Sequence, residues 1–422
     1  MKYHHLFILL FIPLFFAGCA KKKSEKRTVI AVPVYGQSLA LGEEAVRITD
    51  FDSLVNKTHH HVVTENLDEN FGYLSDTRFK QWMKKMFKDR HRAFELSVYG
   101  MSEMVAGYFE KKGYGDSLII STFPGGQGAT SIVDMGKGSK AYNKFLEEIK
   151  GAYEEANDKG WAFVVPAFVW MQGEDDITEK KSKNYKKDLI AFQKALNIDV
   201  KTITKQKKDV ICICYQTNCL TLSKEFNENA FNGKETSVPE GQMELIRDNP
   251  LFMASGPTYP YSFVGERVHI DGLSQKRLGY LTGLSVIRLL ESQPGKGLIP
   301  EKFSVSGDTV LIKFNVPSPP LVVDTIAVRK ADNYGFSVID PANTNIIQKV
   351  IIKDNQVKLY CKKSPAGCKV RYAVNGQTGK SGYQKGPRGN LRDSQGEKLK
   401  TTILKRTYPL HNWGYQFDVL VK

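Results

Sequence analysis

Cysteine is scarce in this 422-residue chain and is not arranged to hold a metal. Six are present, and the five that follow Cys19 (Cys212, Cys214, Cys219, Cys361 and Cys368) cannot all pair with one another. "CICYQTNC" lacks the paired CxxC spacing of a zinc site and lies on an apolar stretch, where buried free thiols are expected. "CKKSPAGC" leaves open a disulfide from Cys361 to Cys368. Internal repeats are absent, as are zinc-finger, recognition-helix and RNA-binding motifs. The net charge of +15 therefore does not point to nucleic acid. Its lysines alternate with acids, as in "EEIKGAYEEANDKG", the pattern of a solvated surface. His59, His60 and His61 are adjacent, so they cannot all face one ion from a regular element, and no acids are spaced to help. No metal and no organic cofactor is expected.

What is present begins with a leader. "MKYHH" is a short, weakly basic start, and "LFILLFIPLFF" is apolar but too short to span a bilayer as a stable helix. Small residues follow, immediately before Cys19. Residues 1–19 resemble a bacterial lipoprotein signal, which implies cleavage before Cys19 and lipid on its thiol; Phe16 stands where that pattern prefers Leu. Residues 20–27, "AKKKSEKR" onward, read as a charged tether. Export, with a lipid anchor in a bacterial membrane facing the periplasm or the exterior, is the expectation.

With 41% hydrophobic and 25% charged residues, the rest of the chain has the composition of a globular protein. Its length suggests two domains. Through residues 28–295, short apolar runs alternate with amphipathic stretches. The runs are "TVIAVPVY", "SLIISTF", "WAFVVPAFVWM", "DVICICYQ" and "LFMAS". Continuous apolar strands alternating with helices predict about five parallel strands in a three-layer α/β/α, flavodoxin-like arrangement. Pro33 and Pro166 sit awkwardly within two of the runs. The segment from Asp50 to Phe94 fits no element and reads as an insertion. Residues 298–422 change character: alternation and turn residues predict a smaller antiparallel β domain, with 377–398 as a long loop. Trp413 there is expected to be buried rather than stacked on sugar.

In open parallel sheets, ligands sit beyond the carboxyl ends of the strands. Here "GQS" follows the first strand, "PGGQGATS" the second, "QGEDD" the third and "QTN" the fourth. "GERVHIDG" follows the fifth and precedes the last helix. One rim thus receives a hydroxyl, a glycine-rich loop, amides, acids and a histidine. Ser38 needs a base to become a nucleophile, and His269 can accept its proton. An acid on the other imidazole nitrogen would fix the tautomer. Glu266, three residues before His269, ranks first; Glu174 in "QGE" is the alternative, and Asp271 comes third. The Ser38 N–H, a glycine N–H of the second block and the Gln172 amide are candidate oxyanion donors.

These four blocks, "GQS", "GGQGATSI", "WMQGEDD" and "GERVHIDGLSQKRLGYLTG", resemble SGNH-type carbohydrate esterases. The nearest subgroup is the one named for sialate O-acetylesterases and acetylxylan esterases. The resemblance implies that Ser38 is the nucleophile and His269 the base. It places the second-block glycine at Gly128, with Gly126 as the alternative, and the oxyanion amide at Gln172. Gln37 and Asn218, on the same rim, are assigned to substrate binding. Leu39, Met171 and Glu266 depart from the family's usual Asn, His and Asp. The implied activity is removal of O-acetyl groups from an acetylated oligo- or polysaccharide through an acetyl-serine. A lipase- or thioesterase-like enzyme and a non-catalytic glycan-binding lipoprotein are the alternatives.

Overall fold

The computed structural model describes residues 27–49, 62–64, 94–114, 117–179, 182, 184–223 and 237–422. The leader, Cys19, most of the tether and His59–His61 lie outside the described residues. So does most of the 50–94 segment, which contributes strand β3 (Val62–Thr64) to the sheet.

Three of the five apolar runs form broken strands. The first is β1 (Thr28–Ala31) and β2 (Val34–Gly36); the second is β4 (Leu118–Thr122) and β5 (Pro124–Gly126). The third is β6 (Ala162–Val164) and β7 (Ala167–Met171). Pro33 and Pro166 mark two of the breaks on neighbouring strands, because proline has no N–H to give to a ladder. Their carbonyls still accept, from Val169 N–H and Ile211 N–H, each at 2.9 Å. Across the break the first run keeps its register with the second but slips by one residue against the third. β8 (Ile211–Gln216) and β9 (Phe252–Pro257) complete it. Every pairing is parallel, and the spatial order is β3, then β4/β5, β1/β2, β6/β7, β8 and β9. The first of the five predicted strands therefore lies between the second and third, as expected of a flavodoxin-like sheet.

Because side chains alternate across a strand, each run feeds two cores. Tyr35, Phe168, Trp170, Cys212 and Cys214 face one layer, built by α2 (Lys140–Asp158), α4 (Tyr185–Thr204) and α5 (Ser237–Asp248). Val34, Val169, Met171, Ile213 and Tyr215 face the other, built by α1 (Ser97–Lys111) and α6 (Gly272–Leu290). The short α3 (Glu174–Glu179) starts directly after β7.

After α6 the strands are antiparallel. β10 (Ile299–Ser306), β11 (Thr309–Asn315), β14 (Ile347–Lys353) and β15 (Gln356–Cys361) form one sheet, in the order β10-β11-β15-β14. β13 (Phe336–Ile339), β16 (Lys369–Tyr372) and β20 (Phe417–Leu420) form another. This region is fused to the parallel sheet rather than hung from it. Val310, Val370, Tyr372 and Phe417 belong to the same continuous core as Trp170 and Phe192. The side-chain amide of Gln216, at the end of β8, donates to Gln416 O at 2.9 Å and accepts at Oε1 from Gln416 N–H at 2.7 Å. Trp413 is buried edge-on against Tyr259, 6.4 Å between ring centres. All five described cysteines are buried free thiols, so Cys361 and Cys368 are not bridged.

Candidate active site

The turn carrying Ser38 begins where β2 ends. Gly36 runs so close to β7 that a Cβ there would lie 1.9 Å from Met171 O. The chain then curls: Ser38 O accepts from Leu41 N–H at 3.2 Å and Glu43 N–H at 3.0 Å, and Leu39 O accepts from the Gln275 side chain of α6 at 2.8 Å. Ser38 is thereby presented from a fixed backbone at the carboxyl end of the central strand. Glu44, at φ 60°, closes the same curl.

His269 arrives from the opposite side of the rim. β9 leads into a small hairpin in which Phe263 bridges Ile270 and Val264 N–H donates to His269 O at 2.7 Å. Asp271 caps α6 by accepting from Ser274 N–H at 2.8 Å, so it is a helix cap and not a partner of the imidazole. Ser38 Oγ and His269 Nε2 are 2.8 Å apart, although 231 residues separate them in sequence. His269 Nδ1 is 2.6 Å from Glu44 Oε2. The carboxylate on Nδ1 keeps the proton there and turns the Nε2 lone pair toward the hydroxyl.

The acid beside the histidine thus differs from all three sequence candidates. Glu266 turns away to Lys380 and Lys385, at 2.8 and 3.1 Å, which hold its carboxyl below the usual range. The hairpin tip carries Gly265 and Glu266 in the left-handed region, and that directs the side chain outward. Glu174 is buried in α3, where Tyr215 Oη donates to its Oε1. Burial pushes its carboxyl up, partly offset by Tyr215, Thr217 and the positive field of His269. The sequence reading missed Glu44. Its only signal was a carboxylate following Gly42, six residues after the serine within one short turn.

The oxyanion candidates divide in the same way. Gly126 is a packing residue: at φ 120°, a Cβ would lie 1.7 Å from Gly36 O. Gly128 faces the serine, its Cβ position 3.9 Å from Ser38 Cβ with nothing nearer. Among the described residues, no acceptor takes the backbone N–H of Ser38 or of Gly128. Gln172 does not fit the expected role, because both hydrogens of its amide are committed. They go to Thr130 O at 3.2 Å and Asp176 Oδ2 at 2.6 Å, while Tyr185 Oη donates to its oxygen at 3.0 Å. Gln172 is a buried brace between the second and third blocks.

Gln37 and Asn218 are likewise structural. Buried Gln37 accepts at Oε1 from Gly173 N–H and Asp175 N–H at the start of α3, at 3.4 and 3.3 Å. Asn218 is buried under the C-terminal loop, donating to Pro387 O at 2.7 Å. Among the described residues, no cluster of His, Cys, Asp and Glu could hold a metal ion, and no helix is long and apolar enough to cross a membrane.

Residues 74–280 match the family described as carbohydrate esterase, sialic acid-specific acetylesterase. The match lies within the α/β unit and spans just under half of the chain. The matched span contains His269, the second and third blocks and most of the last, and begins after Ser38. A carbohydrate acetylesterase from Xanthomonas citri has a similar fold at 12% identity, with a TM-score of 0.58 over 93% of this chain and 80% of that one. A protein from Arabidopsis thaliana (13% identity, TM-score 0.42, 62% of this chain and 98% of that one) is a further structural neighbour. Another is a carbohydrate acetylesterase from Sinorhizobium meliloti (12% identity, TM-score 0.31, 63% and 100%). No curated protein matches the sequence. Carbohydrate acetylesterases are carboxylic ester hydrolases, and the Ser–His–Glu arrangement suits that chemistry.

Proposed function

We propose that this chain is an exported, lipid-anchored serine esterase that removes O-acetyl groups from carbohydrates. The observation that carries the reading is the continuous Ser38–His269–Glu44 relay, with contacts of 2.8 and 2.6 Å. Ser38 Oγ attacks the acetyl carbonyl while its proton passes to His269 Nε2. Glu44 stabilises the imidazolium without taking the proton. The oxyanion accepts from Ser38 N–H and Gly128 N–H, each donor contributing on the order of a hundredfold in rate. His269 then protonates the departing sugar oxygen, the C–O bond breaks and acetyl-Ser38 remains. A water, deprotonated by His269, attacks that ester, and acetate leaves as Ser38 regains its proton.

The family described as sialic acid-specific supports an acetylated sugar as substrate, either a sialic acid or an acetylxylan-type glycan. The leader supports attachment through Cys19. Acetate release from O-acetylated sialic acid and from acetylxylan, by wild type and Ser38→Ala, tests the activity. Release by the wild type and its loss in the variant are expected. Turnover confined to long-chain acyl esters would replace the carbohydrate reading with a lipase- or thioesterase-like one. Metabolic palmitate labelling of wild type against Cys19→Ala, with fractionation, tests the anchor.

A further inference from the structure

The residue that the sequence offered as the triad acid, Glu266, is bound instead by the C-terminal β region. Lys380 and Lys385 place their ammonium groups 2.8 and 3.1 Å from its carboxylate. Ser381 N–H donates to Glu266 O at 2.8 Å, and Tyr383 N–H to Tyr261 O at 3.3 Å. Gly382, at φ 87°, lies so near the hairpin that a Cβ would be 2.8 Å from Tyr261 O. Both ends of the hairpin that carries His269 are therefore gripped by one loop.

That loop is anchored on its other side to the end of β8. Asn218 donates to Pro387 O at 2.7 Å, and Thr221 Oγ1 to Lys380 O at 2.5 Å. Gly379 N–H donates to Thr221 O at 3.0 Å. The hairpin has a reason to need such a grip. Its tip holds two successive left-handed residues, one of them the non-glycine Glu266 at φ 58°. A non-glycine residue in that region is strained and persists only where the surroundings over-determine it. Glu266 is joined to His269 through Arg267 and Val268, and the Val264–His269 backbone bond closes the hairpin between them.

We infer that loop 377–388 is a working part of the esterase centre, and that Glu266, Lys380 and Lys385 are positioning residues for His269. The ion-paired clamp fixes the hairpin so that Nε2 and Nδ1 meet Ser38 and Glu44 together. It rests on the proposed esterase reading only in calling the histidine a base; the positional coupling stands apart from any substrate. A displacement of about 1 Å in a reacting group can cost on the order of a hundredfold in rate, so a clamp that holds the ring has a kinetic effect out of proportion to its stability.

The test compares wild type with Lys380→Met/Lys385→Met, Glu266→Gln, and the charge-reversed triple variant Glu266→Lys/Lys380→Glu/Lys385→Glu. Each full chain is assayed on 4-methylumbelliferyl acetate, melted thermally, and examined by nitrogen-15 NMR of labelled histidine. The double variant and Glu266→Gln should lose tenfold or more in kcat with KM within twofold and Tm within a few degrees. The His269 resonances should broaden or shift in both, and the reversed triple variant should recover much of kcat and the wild-type spectrum. Unchanged kcat and unchanged His269 resonances would overturn the inference, as would losses that track Tm and are not recovered by reversal. If the wild type hydrolyses no ester while the spectra respond as described, the clamp stands and the esterase reading falls.

Discussion

His269 Nδ1 lies 2.6 Å from Glu44, a residue of Ser38's own turn, and not beside the carboxylate three positions before it in sequence. Ser38 and Glu44 therefore share one curl of backbone, and only His269 must be delivered from a distance. The Glu44 side chain is 56% exposed, so water screens the pair and can replace part of its effect. Glu44→Gln should then lower kcat by about 10- to 100-fold, less than the roughly ten-thousandfold typical when a buried triad acid is replaced. KM should hardly move. A variant with wild-type kcat would remove Glu44 from the relay.

Gln172 gives a contrasting case. An oxyanion donor, when removed, costs rate and leaves stability alone. Gln172 instead satisfies Thr130 O and Asp176 and accepts from Tyr185, all in a buried setting. Each orphaned buried group costs about 1–3 kcal/mol, more when charged. Gln172→Ala should therefore destabilise the fold by several kcal/mol in denaturant titration. A variant of unchanged stability but hundredfold lower kcat would restore the catalytic role.

The two second-block glycines should separate cleanly. Gly126→Ala places a methyl 1.7 Å from Gly36 O in a left-handed conformation, so little soluble folded protein is expected. Gly128→Ala finds no atom closer than 3.9 Å and keeps its N–H. It should fold with stability within about 1 kcal/mol of wild type, and thermal melting decides both.

How much of this was legible follows from what each residue depends on. The five apolar runs and the turns after them depend on local pattern, and they place Ser38, Gly128 and His269 on one rim as read. Pro33 and Pro166, awkward as interior strand residues, turned out to mark where the strands break. The acid depended on something not local. Glu266 at the expected spacing was drawn off by Lys380 and Lys385, more than a hundred residues later, and φ 60° at Glu44 supplied a substitute. Gln172, Gln37 and Asn218 were correctly placed at strand ends, but sequence cannot say whether an amide at a rim faces solvent or braces a neighbouring loop. Gln37 is held by the third block and Asn218 by the C-terminal loop, while Gln172 bonds Thr130 of the second block and Asp176 of its own.

Burial of Glu174 raises its carboxyl above the usual range, so the folded chain favours the neutral form more than the unfolded chain does. The sign follows from linkage: this contribution is present below the unfolded value and is lost as pH rises through the folded one. Glu174→Gln keeps an acceptor for Tyr215 and has no charge to bury. Its Tm should fall less than that of wild type as pH is raised from 5 to 9. A parallel decline in the two proteins would show that the carboxyl ionises without cost.

His411 sets the acid side. Its Nδ1 accepts from Gly396 N–H at 3.0 Å and from Arg392 at 3.3 Å, so a proton there would meet donors already in place. Burial, followed by the Arg392 charge, lowers it from 6.5 to about 4. A depressed histidine contributes stability above the unfolded value, and that contribution is lost as pH falls through 6.5 toward 4, at most about 3 kcal/mol in all. His411→Gln retains an acceptor for Gly396 and cannot be protonated. Below pH 6 its Tm should decline more shallowly than that of wild type, whatever its stability at neutral pH. Equal slopes between pH 6 and pH 4 would mean that His411 takes up its proton as readily in the folded chain as in the unfolded one.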